Sequence, residues 1–428
     1  MLTGTTLSPA FPLGSRLNER GRLEIGGCDT VELAREYGTP AYVVAEEDLE
    51  ARARAFLQAG RAAGQESFQV VFASKAFPCT AVLELFAREG LSCDVASGGE
   101  LHLALSAGFA AERIVLHGNA KSEAELRMAL RHRVGMIAID SFEEIDRLER
   151  LIADGALADR GAQPVLVRVT PDVRGDTHEK ISTGQADSKF GFAMADAPAA
   201  IARVASVAGL ELSGLHAHVG SQLLSVDPFR RAAAELGTLG AFGVLDLGGG
   251  LGVRYTESQP PPPSIEDYVA AVVEAAREAG LAPEQRLMIE PGRALCANAA
   301  VTLYTVESVK QNVSRWVAVD GGMSDNLRPM LYGAVYEAHV ADRFGGATAC
   351  VLAGKHCESG DVIVREASLD DPRPGDLVVT PATGAYGYAL ANNYNGVPRA
   401  PVIFCRDGDA RVVVRRESFD DLTARDVA

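Results

Sequence analysis

Eight short apolar runs recur between residues 69 and 291, and most are followed by a segment of helical periodicity. The runs are 69-QVVFAS-74, 92-SCDVAS-97, 113-RIVLHG-118, 136-MIAID-140, 165-VLVRV-169, 215-LHAHVG-220, 244-VLDLGG-249 and 286-RLMIEP-291. A strand that is apolar along its length is covered on both faces, as parallel strands are in α/β proteins. Between the runs lie segments such as 80-TAVLELFAREG-90, 141-SFEEIDRLERLIADG-155 and 264-SIEDYVAAVVEAAREAG-280. Their apolar residues fall at i, i+3 and i+4, and a Gly often ends them. Ser141 and Ser264 are expected N-caps, each with an acidic residue three positions on. Eight parallel strands close a barrel. The competing open, doubly wound sheet would carry G-x-G-x-x-G after its first strand, and 248-GGGLGV-253 fails that pattern at Val253. The expected fold is α/β, a parallel (β/α)8 TIM-like barrel.

The texture changes after about residue 300. The stretches 301-VTLYTVESVKQN-312, 315-RWVAVDGG-322, 350-CVLAGK-355, 374-PGDLVVTPATG-384 and 410-ARVVVRRES-418 read as short strands divided by Gly, Pro and Asp turns. A C-terminal all-β domain follows from them. The first 45 residues contain the strand-like 41-AYVVA-45 and are expected to return and complete that domain. The organisation expected is an N-terminal segment (1–45), a barrel (46–300) and a β domain (301–428). The stretch 258-SQPPPPS-264 reads as an exposed loop whose prolines stop at a helix start.

A chain of 428 residues has room for a barrel of roughly 250 residues and a second domain. Its formal net charge of −16 speaks against nucleic acid or an anionic membrane as partner over the whole surface. No apolar run approaches the roughly 18 residues needed to span a bilayer. The opening residues lack a basic cluster followed by an apolar core, so no signal peptide is read. The seven cysteines, at 28, 79, 93, 296, 350, 357 and 405, are scattered and form no C-x-x-C pair. That pattern points to reduced thiols in a cytoplasm rather than to disulfides or a zinc ribbon. No metal site is expected.

In a parallel barrel the working residues sit where strands end. Those positions here hold Lys75, Asp94, His117, His218, Gly248, Gly249, Gly250 and Glu290, with Arg293 just beyond. Each has an ordinary explanation alone: a strand-end lysine is usually a surface residue, and a lone histidine usually a hydrogen-bonded filler. Together they describe a chemistry. A lysine in an apolar site has a lowered pKa and forms an imine with an aldehyde. Three glycines let backbone N–H groups approach a phosphate, and Arg293 supplies a charge for that phosphate or for a substrate carboxylate. An aldehyde, a phosphate and a carboxylate for a pyridinium proton together describe pyridoxal 5'-phosphate.

Ten motifs in order extend this reading over nearly the whole chain. They are ASKAF around Lys75, CDVASGGEL (93–101), LHGNAKS (116–122), HEKISTGQADSKFGF (178–192), HAHVGSQ (216–222), DLGGGLG (246–252), EPGR (290–293), DGGMSDNLRPMLYGA (320–334), CESGD (357–361) and GAYGYALANNYN (384–395). On these the sequence resembles the diaminopimelate decarboxylase family, within the alanine-racemase-like (fold type III) class of pyridoxal-phosphate enzymes. The resemblance implies that Lys75 carries the cofactor and that His218 stacks on its ring. Ser221 and Gly248 to Gly250, with Arg293, would hold the phosphate, and Glu290 would face the pyridine nitrogen. Arg328 and Tyr332, with Arg293, are implied to hold the distal carboxylate of the substrate. Cys357 is implied as proton donor to the substrate carbon, Glu358 as reader of the distal amino group, and Tyr386 as a cofactor and substrate contact. In that family Cys357 and Glu358 reach the pocket of the other subunit, which implies a homodimer with its active site at the interface. The ordinary explanation of Cys357 is a buried packing cysteine. The main local departure is SKAFPC, where many relatives have an Asn-rich stretch after the lysine.

A carboxylate at the pyridine nitrogen keeps the ring protonated and a strong electron sink. Racemases of this class place an arginine there, so Glu290 favours decarboxylation. The implied reaction takes meso-2,6-diaminopimelate to L-lysine and CO2, the last step of lysine biosynthesis. One alternative is a decarboxylase of the same fold for ornithine, arginine or a carrier-bound aminoacyl group, which Arg328 and Glu358 oppose. The other is a non-catalytic cofactor-binding protein, which the β domain and Cys357 oppose.

Overall fold

A computed structural model describes residues 7–157, 161–173 and 188–427. Residues 178–187 of the HEKISTGQADSKFGF motif lie outside the described residues. The chain forms two compact units. A barrel unit takes residues 52–252 and 262–292, and a β unit takes residues 1–51, 253–261 and 293–428.

The barrel strands are β1 (Phe68–Ala73), β2 (Ser92–Val95), β3 (Ile114–Leu116), β4 (Met136–Ile139), β5 (Gln163–Thr170), β6 (Leu210–His216), β7 (Val244–Asp246) and β8 (Arg286–Ile289). Each pairs in parallel with the next, and β8 returns to β1 in the register Leu287↔Phe68. The sheet therefore closes. Six strands send one residue each into a common cluster, namely Val71, Val115, Met136, Leu166, Val244 and Met288. Such a barrel interior is a packed core rather than a pore.

The covering helices start where their caps dictate. Ser141 Oγ accepts from the Glu144 amide at 3.3 Å, and Ser264 Oγ from that of Asp267 at 3.0 Å. Ser122 and Glu125 add a reciprocal capping box at the helix Glu123–His132. These bonds satisfy amides that have no partner within the first helical turn.

In the β unit, Ala41–Ala45 is an inner strand of the main sheet. It runs antiparallel to Ala300–Gln311 and parallel to Val402–Arg406. The N-terminal segment thus completes the C-terminal sheet. Alternation sends Ala41, Val43 and Ala45 to one face, where they pack with Val301, Leu303, Ile403 and Cys405. Val362–Leu369 and Val402–Arg406 go beyond the sequence reading, as do the short strands Arg16–Leu17, Leu23–Ile25, Cys28–Asp29 and His339–Val340. Among the described residues, no helix is long and apolar enough to cross a membrane.

Candidate active site

The C-terminal ends of the barrel strands gather a buried charge cluster around Glu290, which follows β8. Glu290 Oε1 lies 2.7 Å from His117 Nε2, and its Oε2 lies 3.3 Å from Nε2 of His216, the last residue of β6. The two imidazoles meet edge to face with centroids 4.8 Å apart. Asp94 of β2 stands 4.0 Å from His117, and Asp246 ends β7 with its Oδ1 accepting from the Gly248 amide at 2.9 Å.

Burial alone would raise the Glu290 carboxyl, but His117 and His216 overturn that and hold it well below the carboxylate range. His117 is pulled down by burial and then pushed above its ordinary value by Glu290 and Asp94. Burial drives Asp246 well up, and the neighbouring Glu290 charge adds to it. Burial also raises Asp94, to about 6. The cluster therefore keeps one carboxylate ionised, on Glu290, beside a carboxyl, Asp246, that retains its proton. Such an anionic pole suits a cationic group. The four groups His117, His216, Asp246 and Glu290 also come within 4.8 Å of one another, which is a donor set of metal-ligand type.

The triple glycine lies flat against this cluster. A Cβ on Gly249 would sit 2.0 Å from the Glu290 carbonyl oxygen, and Gly248 adopts φ +65°. His218 Nδ1 accepts from the Gly249 amide at 3.1 Å. Burial first, then the positive charges of Lys75 and Arg168, hold that imidazole well below its usual proton affinity, so it is neutral. The backbone next to Ser221 is laced to the same turn, with the Leu223 amide donating to the Gly250 carbonyl at 2.8 Å.

Lys75 lies in the 3-10 turn Ser74–Ala76 directly after β1. The expected apolar setting is corrected here: Lys75 is exposed, while Ser74, Ala76 and Phe77 beside it are buried. The turn carries the lysine off the strand's covered faces, so its charge is not held in the core.

The β unit gathers a second group. Arg293 opens the short helix Arg293–Cys296, and Arg328 opens Arg328–Tyr332; both guanidinium groups are buried. Arg293 donates to the Tyr255 hydroxyl and Arg328 to that of Tyr336. The Arg328 guanidinium stands 4.8 Å from the Tyr255 ring and 5.9 Å from that of Tyr386, and the Arg293 guanidinium stands 4.9 Å from the Tyr386 ring. Burial would weaken the Arg328 charge, but Tyr255 and Tyr336 outweigh it and its proton is held more tightly than usual. Among the described residues no carboxylate pairs with Arg328. A buried guanidinium with its fork turned to rings and a hydroxyl suits an incoming carboxylate. Tyr386 adopts φ +64°, a left-handed conformation that costs a non-glycine residue and that clusters at working sites.

Tyr332 is half-buried at the end of its helix. Cys357 is exposed while the other six cysteines are buried, so it is not a packing residue. Glu358 is half-buried and turns back to accept from the Gly360 amide at 3.3 Å. Asp325 lies in the β unit's core, bonded by the Tyr304 hydroxyl and the Gly322 amide.

Sequence reasoning missed His216, Asp246, Tyr255 and Tyr336. His216 had a signal: it stands in the same strand-end motif HAHVGSQ as His218, where working residues of a barrel gather. Asp246 had another, as the acid at the end of an apolar run. Nothing in the residue pattern marks Tyr255, whose partner Arg293 lies 38 positions on, or Tyr336, which meets Arg328 eight positions back across a helix end.

A barrel with an ionised carboxylate at its strand ends and a glycine turn beside it, carried on one chain with a β unit, is the build of pyridoxal-dependent decarboxylases. Residues 46–297 match the family model described as the pyridoxal binding domain of pyridoxal-dependent decarboxylases. The chain is 48% identical to a diaminopimelate decarboxylase of Actinosynnema pretiosum, over 99% of this chain and 98% of that one. It is 46% identical to the Bacillus subtilis diaminopimelate decarboxylase, over 96% and 97%. The crystal structure of diaminopimelate decarboxylase from M. jannaschii with L-lysine is similar at a TM-score of 0.90 and 30% identity, covering 97% of this chain and 98% of that one. The chain belongs to the diaminopimelate decarboxylase family.

Proposed function

We propose that the chain removes CO2 from meso-2,6-diaminopimelate to give L-lysine, with pyridoxal 5'-phosphate as cofactor. The observation that carries the substrate choice is Arg328, a buried cation whose partners among the described residues are a hydroxyl and aromatic rings. A substrate without a distal carboxylate would leave that charge unpaired, at a cost of a few kcal/mol.

The barrel residues fit the cofactor. Glu290 is buried and held ionised by His117 and His216 at the strand ends, a fixed negative charge that suits a protonated ring nitrogen. The turn Gly248 to Gly250 leaves no room for a side chain and brings backbone within reach of a phosphate. In this reading Lys75 holds the aldehyde carbon and His218 the ring face. Ser221, Gly248, Gly249, Gly250 and Arg293 hold the phosphate, and Tyr386 touches both cofactor and substrate. When bound, pyridoxal phosphate supplies an electron sink for the pair left as the bond to CO2 breaks. Glu290, ionised by its two histidines, keeps that sink's ring nitrogen protonated.

On the substrate side, Arg328, Tyr332 and Arg293 clamp the distal carboxylate and Glu358 reads the distal amino group. The Cys357 thiol delivers a proton to the α-carbon. We assign these two last residues to the pocket of a second copy of the chain, so that the working unit is a homodimer. The apolar side chains Met330, Leu331 and Val335, exposed beside a groove of about 940 Å³, support that assignment, as does the exposure of Cys357 itself. The cytoplasm is the compartment proposed, in keeping with seven cysteines that form no disulfide.

The test is purified protein with pyridoxal phosphate, assayed for CO2 and L-lysine from meso-diaminopimelate, with L-ornithine and L-lysine offered in parallel. Lysine from diaminopimelate alone is the result expected. Lys75→Ala should abolish turnover and the cofactor's absorbance band. A band without lysine formation would move the function to another substrate.

A further inference from the structure

One carboxylate organises the turn that bears Cys357 and Glu358. Asp361, buried in the β unit, accepts from the Met323 amide at 2.7 Å and from the His356 amide at 2.9 Å. Its Oδ2 also lies 2.7 Å from His356 Nδ1. Two glycines make the space it occupies: a Cβ on Gly354 would come within 2.1 Å of Asp361 Oδ2, and one on Gly322 within 2.4 Å of Oδ1. The same acid thus ties the turn 356–361 to the turn 320–325, which leads into the helix that Arg328 opens.

Within the turn the backbone is fixed at each step. The Glu358 amide donates to the His356 carbonyl at 2.8 Å, and the Asp361 amide to the Glu358 carbonyl at 3.1 Å. The Cys357 amide donates to Asn395 Oδ1 at 2.9 Å. The Cys357 side chain is nevertheless exposed, flanked by a fully buried imidazole. A buried imidazole is a costly filler for a surface turn. Its Nε2 has no hydrogen-bond partner among the described residues, so only the bond through Nδ1 offsets that cost. The arrangement makes sense if the bond serves the residue next to it.

We propose that His356, clasped by Asp361, is a positioning residue that fixes the direction in which Cys357 and Glu358 are presented. This rests on the reading of Cys357 as proton donor. His356 itself touches no reacting atom; it sets where the thiol stands.

The experiment compares His356→Ala, His356→Asn and Cys357→Ala with the parent holoenzyme. Asn places an N–H donor as many bonds from the backbone as Nδ1, and so can restore the bond to Asp361. With six cysteines buried, iodoacetamide reads Cys357 alone. For His356→Ala, kcat should fall roughly ten- to a hundredfold, the scale of a misplaced reacting group. The alkylation rate should rise, and the cofactor's absorbance band should stay as in the parent, showing that the barrel site is intact. His356→Asn should bring both kcat and the alkylation rate back towards the parent. Parental kcat in His356→Ala, or equal impairment of the Ala and Asn variants, would overturn the proposal. A Cys357→Ala enzyme of undiminished kcat would remove the proton-donor reading instead. The positioning claim would then stand or fall on the alkylation rates of the two His356 variants.

Discussion

At the scale of single residues, the site divides into those with a local signature and those that only folding brings into play. Glu290 and Arg328 sit in motifs whose residue types already suggest their chemistry. Tyr255 and Tyr336 do not, because their meaning lies in what they touch: Arg293 and Arg328. Sequence reasoning also placed Lys75 in an apolar setting, since a run of buried residues precedes it. The 3-10 turn after β1 removes it from that setting. The two arginine partners can be separated by mutation. Arg328→Ala should lower kcat/KM for diaminopimelate by about two to three orders of magnitude, the scale of an unpaired buried charge partner. Tyr336→Phe keeps the charge and loses one hydroxyl bond, so the loss should be only a few-fold. Steady-state kinetics on both variants decide it. Equal losses would mean that Tyr336, rather than the guanidinium, makes the substrate contact.

At the scale of elements, the barrel strands were the most legible feature, because a doubly covered strand must be apolar on both faces. Each of the eight expected runs overlaps a barrel strand, although β6 (Leu210–His216) lies earlier than expected and takes in only the first two residues of the run 215–220. The β unit was less legible. Val402–Arg406 is five residues long and depends on Ala41–Ala45, more than 350 positions earlier, for its parallel partner. No local pattern announces a pairing of that kind. The triple glycine was read as a phosphate turn, but its packing demands glycine independently. Gly249→Ala would drive a methyl group into the Glu290 carbonyl, a backbone atom that cannot move aside. The cost expected is about 1–3 kcal/mol, as for overpacked sites. Cofactor affinity should fall together with the thermal midpoint, because Glu290 itself is displaced. A cofactor titration beside a melting curve checks this. Unchanged affinity with a lowered midpoint would separate the packing role from the binding role.

At the scale of the molecule, stability carries a pH dependence that can be traced to one group of the β unit. Burial raises the Asp325 carboxyl to about 7, against the opposing pull of its bonds from the Tyr304 hydroxyl and the Gly322 amide. The motif 320-DGGMSDN-326 shows that an acid is there, but not that it is sealed inside, so this property was invisible in the sequence. An acid raised on folding stabilises most where both states hold the proton, below about 4, the ordinary value for an aspartate. As the pH rises the unfolded chain releases its proton first, and the folded state loses ground until the pH passes about 7. Three units of separation correspond to roughly 4 kcal/mol as an upper bound. Asp325→Asn has no proton to lose, so the denaturant midpoints of parent and variant, measured from pH 4 to 8, should diverge as the pH rises. The parent should weaken relative to the variant by on the order of 2–4 kcal/mol across that window, with no further change above it. Any fixed difference from altered hydrogen bonds would appear equally at every pH and drops out of the comparison. Parallel curves would show that Asp325 releases its proton at an ordinary carboxylate pH, and that the β unit tolerates a buried charge at that position.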